Sequence, residues 1–359
     1  MYTNNYVRGP EGESVMSFIR NAWYVANWAH DLQDEPLAQT ILGENVVLWR
    51  GADGDVRAAE DVCPHRFLPL SKGRIAGNDL QCGYHGLIFD GHGKCVGAPT
   101  QAAPPDCKIR EYPVHENMGM VWIWMGDPAL ADTNDIYDLP EYHRKDWGTA
   151  FGDALDVEAN YLLLCDNLCD PTHVNYVHPS TLGNPDEINA PVTFEDTSWG
   201  VLTERLTPNS APTGFVAAFG NHDGKVDMWQ RYLMYTPSVS IIDFGATAAG
   251  TGSWQEGGEG RIQVYSCHFM TPITETRTID RWLHVRNFQP DDPSVGESIS
   301  EQFRIAFAED KDILQAVQAE ETRHEGRPKI GLDLDASAGL FRLKINRLLR
   351  AETSAQAAE

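Results

Sequence analysis

An acidic chain of 359 residues, with 52 Asp and Glu against 28 Lys and Arg and a net charge of −24, is a poor partner for nucleic acid, whose phosphates require a basic surface. Its 42% hydrophobic content and ten Trp supply apolar surface for two cores, and no run approaches the roughly 18 consecutive apolar residues of a membrane span. No apolar N-terminal segment with a small-residue cleavage site is present, and the seven Cys show no disulfide framework; both suit a reducing cytoplasm.

Residues 1–15 are polar, rich in Asn and Gly, and expected to be a disordered tail. Met16 opens a denser segment and is a candidate second start. From about 35 to 125 the chain reads as short β-runs with turn punctuation, such as Asn45–Trp49 before Gly51-Ala52-Asp53-Gly54 and Met120–Trp124 before Gly126-Asp127-Pro128. Such spacing predicts a small antiparallel β-sandwich over 16–128.

Within it stand Cys63-Pro64-His65 and Cys82-Gly83-Tyr84-His85, a C-x-H and a C-x2-H separated by 16 residues. Two thiolates and two imidazoles in mixed pairs suit a Rieske-type [2Fe–2S] cluster, in which two Cys hold one iron and two His the other. Neutral imidazoles reduce the cluster's negative charge and raise its potential. A tetrahedral zinc site also takes Cys2His2, but zinc knuckles pair like with like. Pro64, Gly83 and Gly86 fit two tight loops closing over an inorganic cluster. The other five Cys read as free buried thiols.

The second part, 129–352, begins in an acidic, turn-rich stretch at 131–146. Residues 157–178 start as a helix and become irregular near Pro171. Strands of one antiparallel sheet are predicted at 228–236, 238–248, 261–270 and 277–288, and amphipathic helices at 298–320 and 337–350. Strands followed by helices give an α+β class. Arg342, Lys344, Arg347 and Arg350 interleave with apolar residues in the last helix, which packs on the body or, as a weaker alternative, offers a docking site for an acidic redox partner.

Asp170, His173 and His178 form D-x2-H-x4-H. Two His plus one carboxylate are the facial triad of non-haem Fe(II) oxygenases, which leaves positions open for oxygen. The pair alone is weak; the upstream cluster strengthens it, because its electrons need a destination. The third ligand is sought on the helix at 301–318. Its apolar stripe runs Phe303, Ala306, Phe307, Ile313, Leu314, Val317, and Asp310 falls inside it. A carboxylate on a buried stripe is costly unless paired or metal-bound. Asp310 is the candidate third ligand; Glu309 lies at the edge and Asp312 on the opposite face.

From about residue 17 the chain resembles the oxygenase component of Rieske aromatic O-demethylases, as in vanillate and dicamba demethylation. The resemblance is carried by Arg20–Val25, the cluster motif, Asp166-Asn167-x2-Asp170-x2-His173-x4-His178, His268-Phe269-x-Thr271-Pro272, Arg286-Asn287-Phe288 and Glu309-Asp310-Lys311. It implies a catalytic domain of the helix-grip type, a homotrimer with electron flow between subunits, and a separate flavin and iron–sulfur reductase drawing on NAD(P)H. It implies that Tyr84 donates to a ligating sulfur and that Asn167 lies close to the iron. It also implies that Asp170 bridges His173 to His85 of a neighbouring subunit; a helix cap near Pro171 is the competing role.

The substrate pocket is read from alternation. Val239, Ile241 and Asp243 share one strand face, and Ile262, Val264, Ser266, His268 and Met270 another. Asp243 and His268 match pocket positions in the resemblance and are the substrate-binding candidates. An ionised Asp243 would repel a substrate carboxylate and favour a phenolic hydroxyl. The activity implied is O2-dependent O-demethylation of a methoxylated aromatic acid or phenol with release of formaldehyde. Methyl hydroxylation and ring cis-dihydroxylation are the alternatives with the same metals, and an electron carrier without oxygenase activity is a third.

Overall fold

A computed structural model describes residues 18–252 and 258–356. The tail expected at 1–15 and the alternative start at Met16 lie outside the described residues. Two units result.

The first unit runs from Phe18 to Asp138 and takes in Thr271–Thr274. Short β-branched and aromatic runs, each stopped by a turn, make strands too brief for anything but small antiparallel sheets. They are β1 (Trp23–Trp28), β2 (Leu37–Ile41), β3 (Glu44–Arg50), β4 (Val56–Glu60), β5 (Arg74–Ala76), β6 (Asp79–Gln81), β7 (Ile88–Phe89), β8 (Cys95–Gly97), β9 (Glu111–Tyr112), β10 (Val114–Asn117) and β11 (Met120–Trp124). Three sheets form in the orders β1-β11-β10, β2-β3-β4-β9 and β5-β6-β7-β8. Trp49, Leu70, Leu80, Phe89 and Ile109 fill a core whose edge includes Cys63 and Cys82. The unit extends past the Asp127-Pro128 step because Trp23 Nε1 donates to the Asp132 carbonyl and Asn117 Nδ2 to the Asp138 carboxylate, tying the turn-rich stretch down.

The second unit covers Leu139–Met270 and Glu275 onward. Its strands are β12 (Gly148–Val157), β13 (Val192–Asp196), β14 (Gly200–Ser210), β15 (Val226–Tyr235), β16 (Val239–Ala248), β17 (Ile262–Thr274) and β18 (Arg277–Arg286). They form one antiparallel sheet of seven strands in the order β12-β18-β17-β16-β15-β14-β13. Its helices are α1 (Tyr161–Asn167), α2 (Val174–Val177), α3 (Gly214–Phe219), α4 (Pro293–Arg323) and α5 (Ala336–Gln356). The α+β expectation holds, with four of the sheet's strands foreseen; β12, β13, β14 and α3 were not.

Helix α4 begins where Asp292 accepts from the Ser294 N–H, with Pro293 in the first turn. Val295, Ile299, Phe303, Phe307 and Asp310 make its buried face, and Phe303 and Phe307 pack with Trp282. Ile313 and Val317 are exposed, not part of the stripe expected for them. Beyond Asp310 the helix still buries Leu314 and adds polar contacts: Gln315 and Gln318 side chains accept from the Glu158 and Asn160 N–H groups. In α5, Phe341 and Ile345 are buried, Arg342 pairs with Asp166, and Lys344 with the Thr197 carbonyl. Two of the four basic groups are therefore engaged within the chain rather than free for docking.

Candidate metal centres and cavity

The two cluster loops are built alike. Cys63 N–H donates to the Leu68 carbonyl and Cys82 N–H to that of Leu87, five residues on in each case. The fourth residue, Phe67 or Gly86, donates back to the Cys carbonyl with positive φ, +58° and +77°. Each loop is thus a closed turn that buries its Cys against the core and leaves its His at the tip. Burial, together with the nearby Cys82 thiol, pushes the Cys63 thiol up to about 11. The His65 and His85 rings lie 4.6 Å apart, and His85 Nδ1 is buried without a hydrogen-bond partner among the described residues. An orphaned imidazole nitrogen next to two converging thiols fits an inorganic cluster. Tyr84, 57% exposed, lays its ring on His85 at 3.9 Å.

In the second unit the H-x4-H pair brackets a single helical turn. His173 enters α2 and His178 leaves it, with rings 5.4 Å apart at 75°. His178 Nε2 lies 3.1 Å and His173 Nε2 3.5 Å from Asp310 Oδ1. Among the described residues this is the one group of three or more His, Cys, Asp or Glu whose donor atoms fall within 4.8 Å of one another. Asn167 Nδ2 donates to the same Asp310 oxygen at 2.9 Å. The far nitrogens are also held: His178 Nδ1 faces Glu309 Oε2 at 2.8 Å, and His173 Nδ1 faces the Asp170 carbonyl. Both Nδ1 positions therefore donate, and both Nε2 lone pairs point at the shared centre. Burial lowers His173, whereas at His178 the Asp310 and Glu309 carboxylates outweigh burial and raise it. Asp312 is exposed on the opposite face of α4.

The three donors line a cavity of about 820 Å³, counting its open mouth. Leu182, Phe215, Phe244, Phe303 and Phe307 give it aromatic and aliphatic walls; Glu187, Gln230 and Tyr232 add polar groups. Asp243 is not on the lining. Its neighbours Ile242 and Phe244 are, and strand alternation turns Asp243 to the other face. There it accepts from Trp229 Nε1, Gln263 Nε2 and Arg231 Nη1, so its charge serves the sheet. His268 also misses the large cavity and borders a small adjoining one, with Nδ1 2.7 Å from Asp280 Oδ2 and Nε2 3.0 Å from Ser266 Oγ. Asp170 Oδ1 accepts from the N–H and hydroxyl of Thr172, closing a local turn before α2; the N-cap of α2 is His173, without a side-chain cap, so Asp170 does not cap that helix. Glu309, set aside on the helix edge, proves to hold His178; Glu187, Gln230 and Tyr232 left no periodic or motif signal because tertiary packing alone gathers them.

One unit with mixed Cys/His loops and another with a two-His, one-carboxylate group on an aromatic cavity define an oxygenase fed by an iron–sulfur cluster. The comparisons agree. The Rieske [2Fe-2S] domain model matches residues 22–113, and the vanillate O-demethylase oxygenase C-terminal domain model matches 157–351. The iron-sulfur subunit of a toluene-4-sulfonate monooxygenase system from Comamonas testosteroni is 37% identical over 95% of this chain and 99% of its own. A vanillate O-demethylase oxygenase subunit from Pseudomonas sp. (strain HR199 / DSM 7063) is 36% identical over 94% and 97%. The crystal structure of dicamba monooxygenase bound to dicamba superposes with a TM-score of 0.86 at 32% identity, covering 94% of this chain and 99% of that one. The same enzyme has been solved with non-heme iron and dicamba (TM-score 0.79, 30% identity, covering the same shares). The chain belongs to the vanillate O-demethylase family of Rieske oxygenases and is the oxygenase component of a monooxygenase system. Its cofactors are a Rieske [2Fe–2S] cluster and a mononuclear non-haem iron.

Proposed function

We propose that this chain demethylates a methoxylated aromatic compound, converting ArOCH3, O2, two electrons and two protons to ArOH, formaldehyde and water. The observation that carries the reading is the convergence of His173, His178 and Asp310 on a cavity walled by Phe residues. The unit from Phe18 to Asp138 is the electron-accepting domain, and the unit that starts at Leu139 the catalytic one. Cys63, His65, Cys82 and His85 hold the cluster; His173, His178 and Asp310 hold the iron. When bound, the two centres supply single-electron transfer and oxygen activation. The protein's own contribution is positioning. Asn167 and Glu309 fix the donor set, and the aromatic walls orient the ring and exclude water.

A cytoplasmic NAD(P)H-dependent reductase with flavin and an iron–sulfur centre is the electron source. The working form is a homotrimer in which Asp170 links His173 to His85 of the next subunit. Among the described residues no helix is long and apolar enough to cross a membrane. A second reading, hydroxylation of a ring methyl group, draws on the toluene-4-sulfonate relative. Formaldehyde release in a reconstituted oxygen-uptake assay supports demethylation; an alcohol without carbon loss supports the second reading, and a diol overturns both.

A further inference from the structure

The polar part of the cavity wall includes an acidic side chain away from the metal donors, Glu187. Among the described residues that line the cavity, none is Lys or Arg. Glu187 and Gln230 stand on the lining, and Arg205 stands behind them. Arg205 and Gln230 are directly paired across β14 and β15, so both project from the same face of the sheet. Arg205 Nη2 donates to Glu187 Oε2 at 2.8 Å and Nε to Gln230 Oε1 at 2.9 Å. The Arg205 and Glu187 side chains are each 2% exposed. The cation is thus committed to its two partners, and the anionic member of the pair is the one facing the cavity. The Gln230 carbonyl is turned to Arg205, so its amide nitrogen faces Glu187 at 3.3 Å and keeps an N–H for a ligand.

A carboxylate or sulfonate entering this cavity would lose its water, find no cationic side chain and face Glu187. Burying an unpaired charge costs far more than burying a neutral hydroxyl that finds an acceptor. The charge at the three metal donors cannot substitute, because the carbon to be oxidised must lie there. We propose that the substrate is an uncharged aromatic ether whose polar substituent is a hydroxyl or N–H donor received by Glu187 and Gln230, and that anionic aromatics are excluded. This builds on the demethylation reading above, and it moves the discrimination first sought at Asp243 to Glu187.

The test is calorimetric binding to the anaerobic, metal-loaded enzyme of 2-methoxyphenol and 2-methoxybenzoate at pH 7.5, where only the second is ionised. At least tenfold tighter binding of the phenol is expected. Equal or tighter binding of the benzoate, or no detectable binding of the phenol, overturns the proposal. Replacing both charges together (Glu187→Gln with Arg205→Gln) removes the pair without stranding either member. The preference should then fall at least threefold, and an unchanged ratio overturns the assignment to Glu187. If the double variant does not fold, the wild-type comparison decides. Formaldehyde released equally well from the benzoate overturns the charge selection and leaves demethylation intact. A preserved binding preference without formaldehyde supports the charge selection and overturns demethylation.

Discussion

Asp310 Oδ1 is the point on which three side chains converge: His173, His178 and Asn167. Asp310→Ala should therefore lose the mononuclear iron and turnover while the visible spectrum of the cluster stays intact; Asp312→Ala, altering an exposed group, should change neither. Metal analysis with absorbance reads both, and the reverse pattern would refute the assignment. Glu309 acts one bond further out, through His178 Nδ1. Glu309→Gln keeps the shape but weakens the acceptor, and iron affinity should fall by about 10- to 100-fold. His284 gives a pH prediction. Burial, with His268 and Arg286 nearby, lowers it to about 3. The unfolded chain takes that proton near pH 6.5, so stability is full above that value and declines as pH falls towards 3, by up to about 1.4 kcal/mol per unit. Denaturant melts of His284→Gln should show a flatter profile between pH 6.5 and 4 than wild type.

At the scale of elements, the cluster loops depend on one backbone conformation. Gly86 has φ +77°, and a Cβ there would meet Pro99 Cγ at 3.2 Å. Gly86→Ala should cost about 1–2 kcal/mol from the left-handed backbone alone and lower the cluster content of purified protein, measured by iron and sulfide. Phe67 takes the same conformation with a side chain in place, a strained residue at a functional tip. Elements with a strong period or a dense motif were legible: the last strands of the large sheet, α4 with Asp310 on its buried face, and the His173–His178 turn. Strands β12 to β14 were not. Strands β12 and β13 lie at the sheet edges, and β13 is exposed throughout; β14 alternates in burial, but its buried face carries Thr203, Arg205 and Thr207 while Leu206 is exposed, so hydrophobicity does not follow burial there. Alternation put Asp243 and His268 on faces correctly, yet it cannot say which face holds the cavity.

At the scale of the whole molecule, an oxygenase should contain two irons from the cluster and one at the facial triad in every chain, whereas a simple carrier would hold only the first two. The proposed trimer gives Asp170 a role that one chain does not exhaust. Asp170→Asn retains an oxygen to accept from Thr172, so folding and both metals should persist. If Asp170 also links subunits, single-turnover reoxidation of the reduced cluster should slow at least tenfold; normal reoxidation would leave the local turn with Thr172 as its whole function. Light scattering at three times the mass of one chain checks the assembly itself.

By itself the sequence determined the chemistry of both centres. Ligand type and local spacing are properties of a few neighbouring residues, and thiolate–imidazole loops together with an H-x4-H pair in the same chain admit few metals. It determined the α+β class for the same reason, since hydrophobic periods are local. What only the tertiary structure decided is the shape and charge of the cavity. Glu187, Arg205, Gln230 and Tyr232 come from a short turn and two strands, and their electrostatic meaning arises only when the sheet's register sets Arg205 opposite Gln230 and behind Glu187. Long-range pairing of that kind leaves no mark on any short window of sequence.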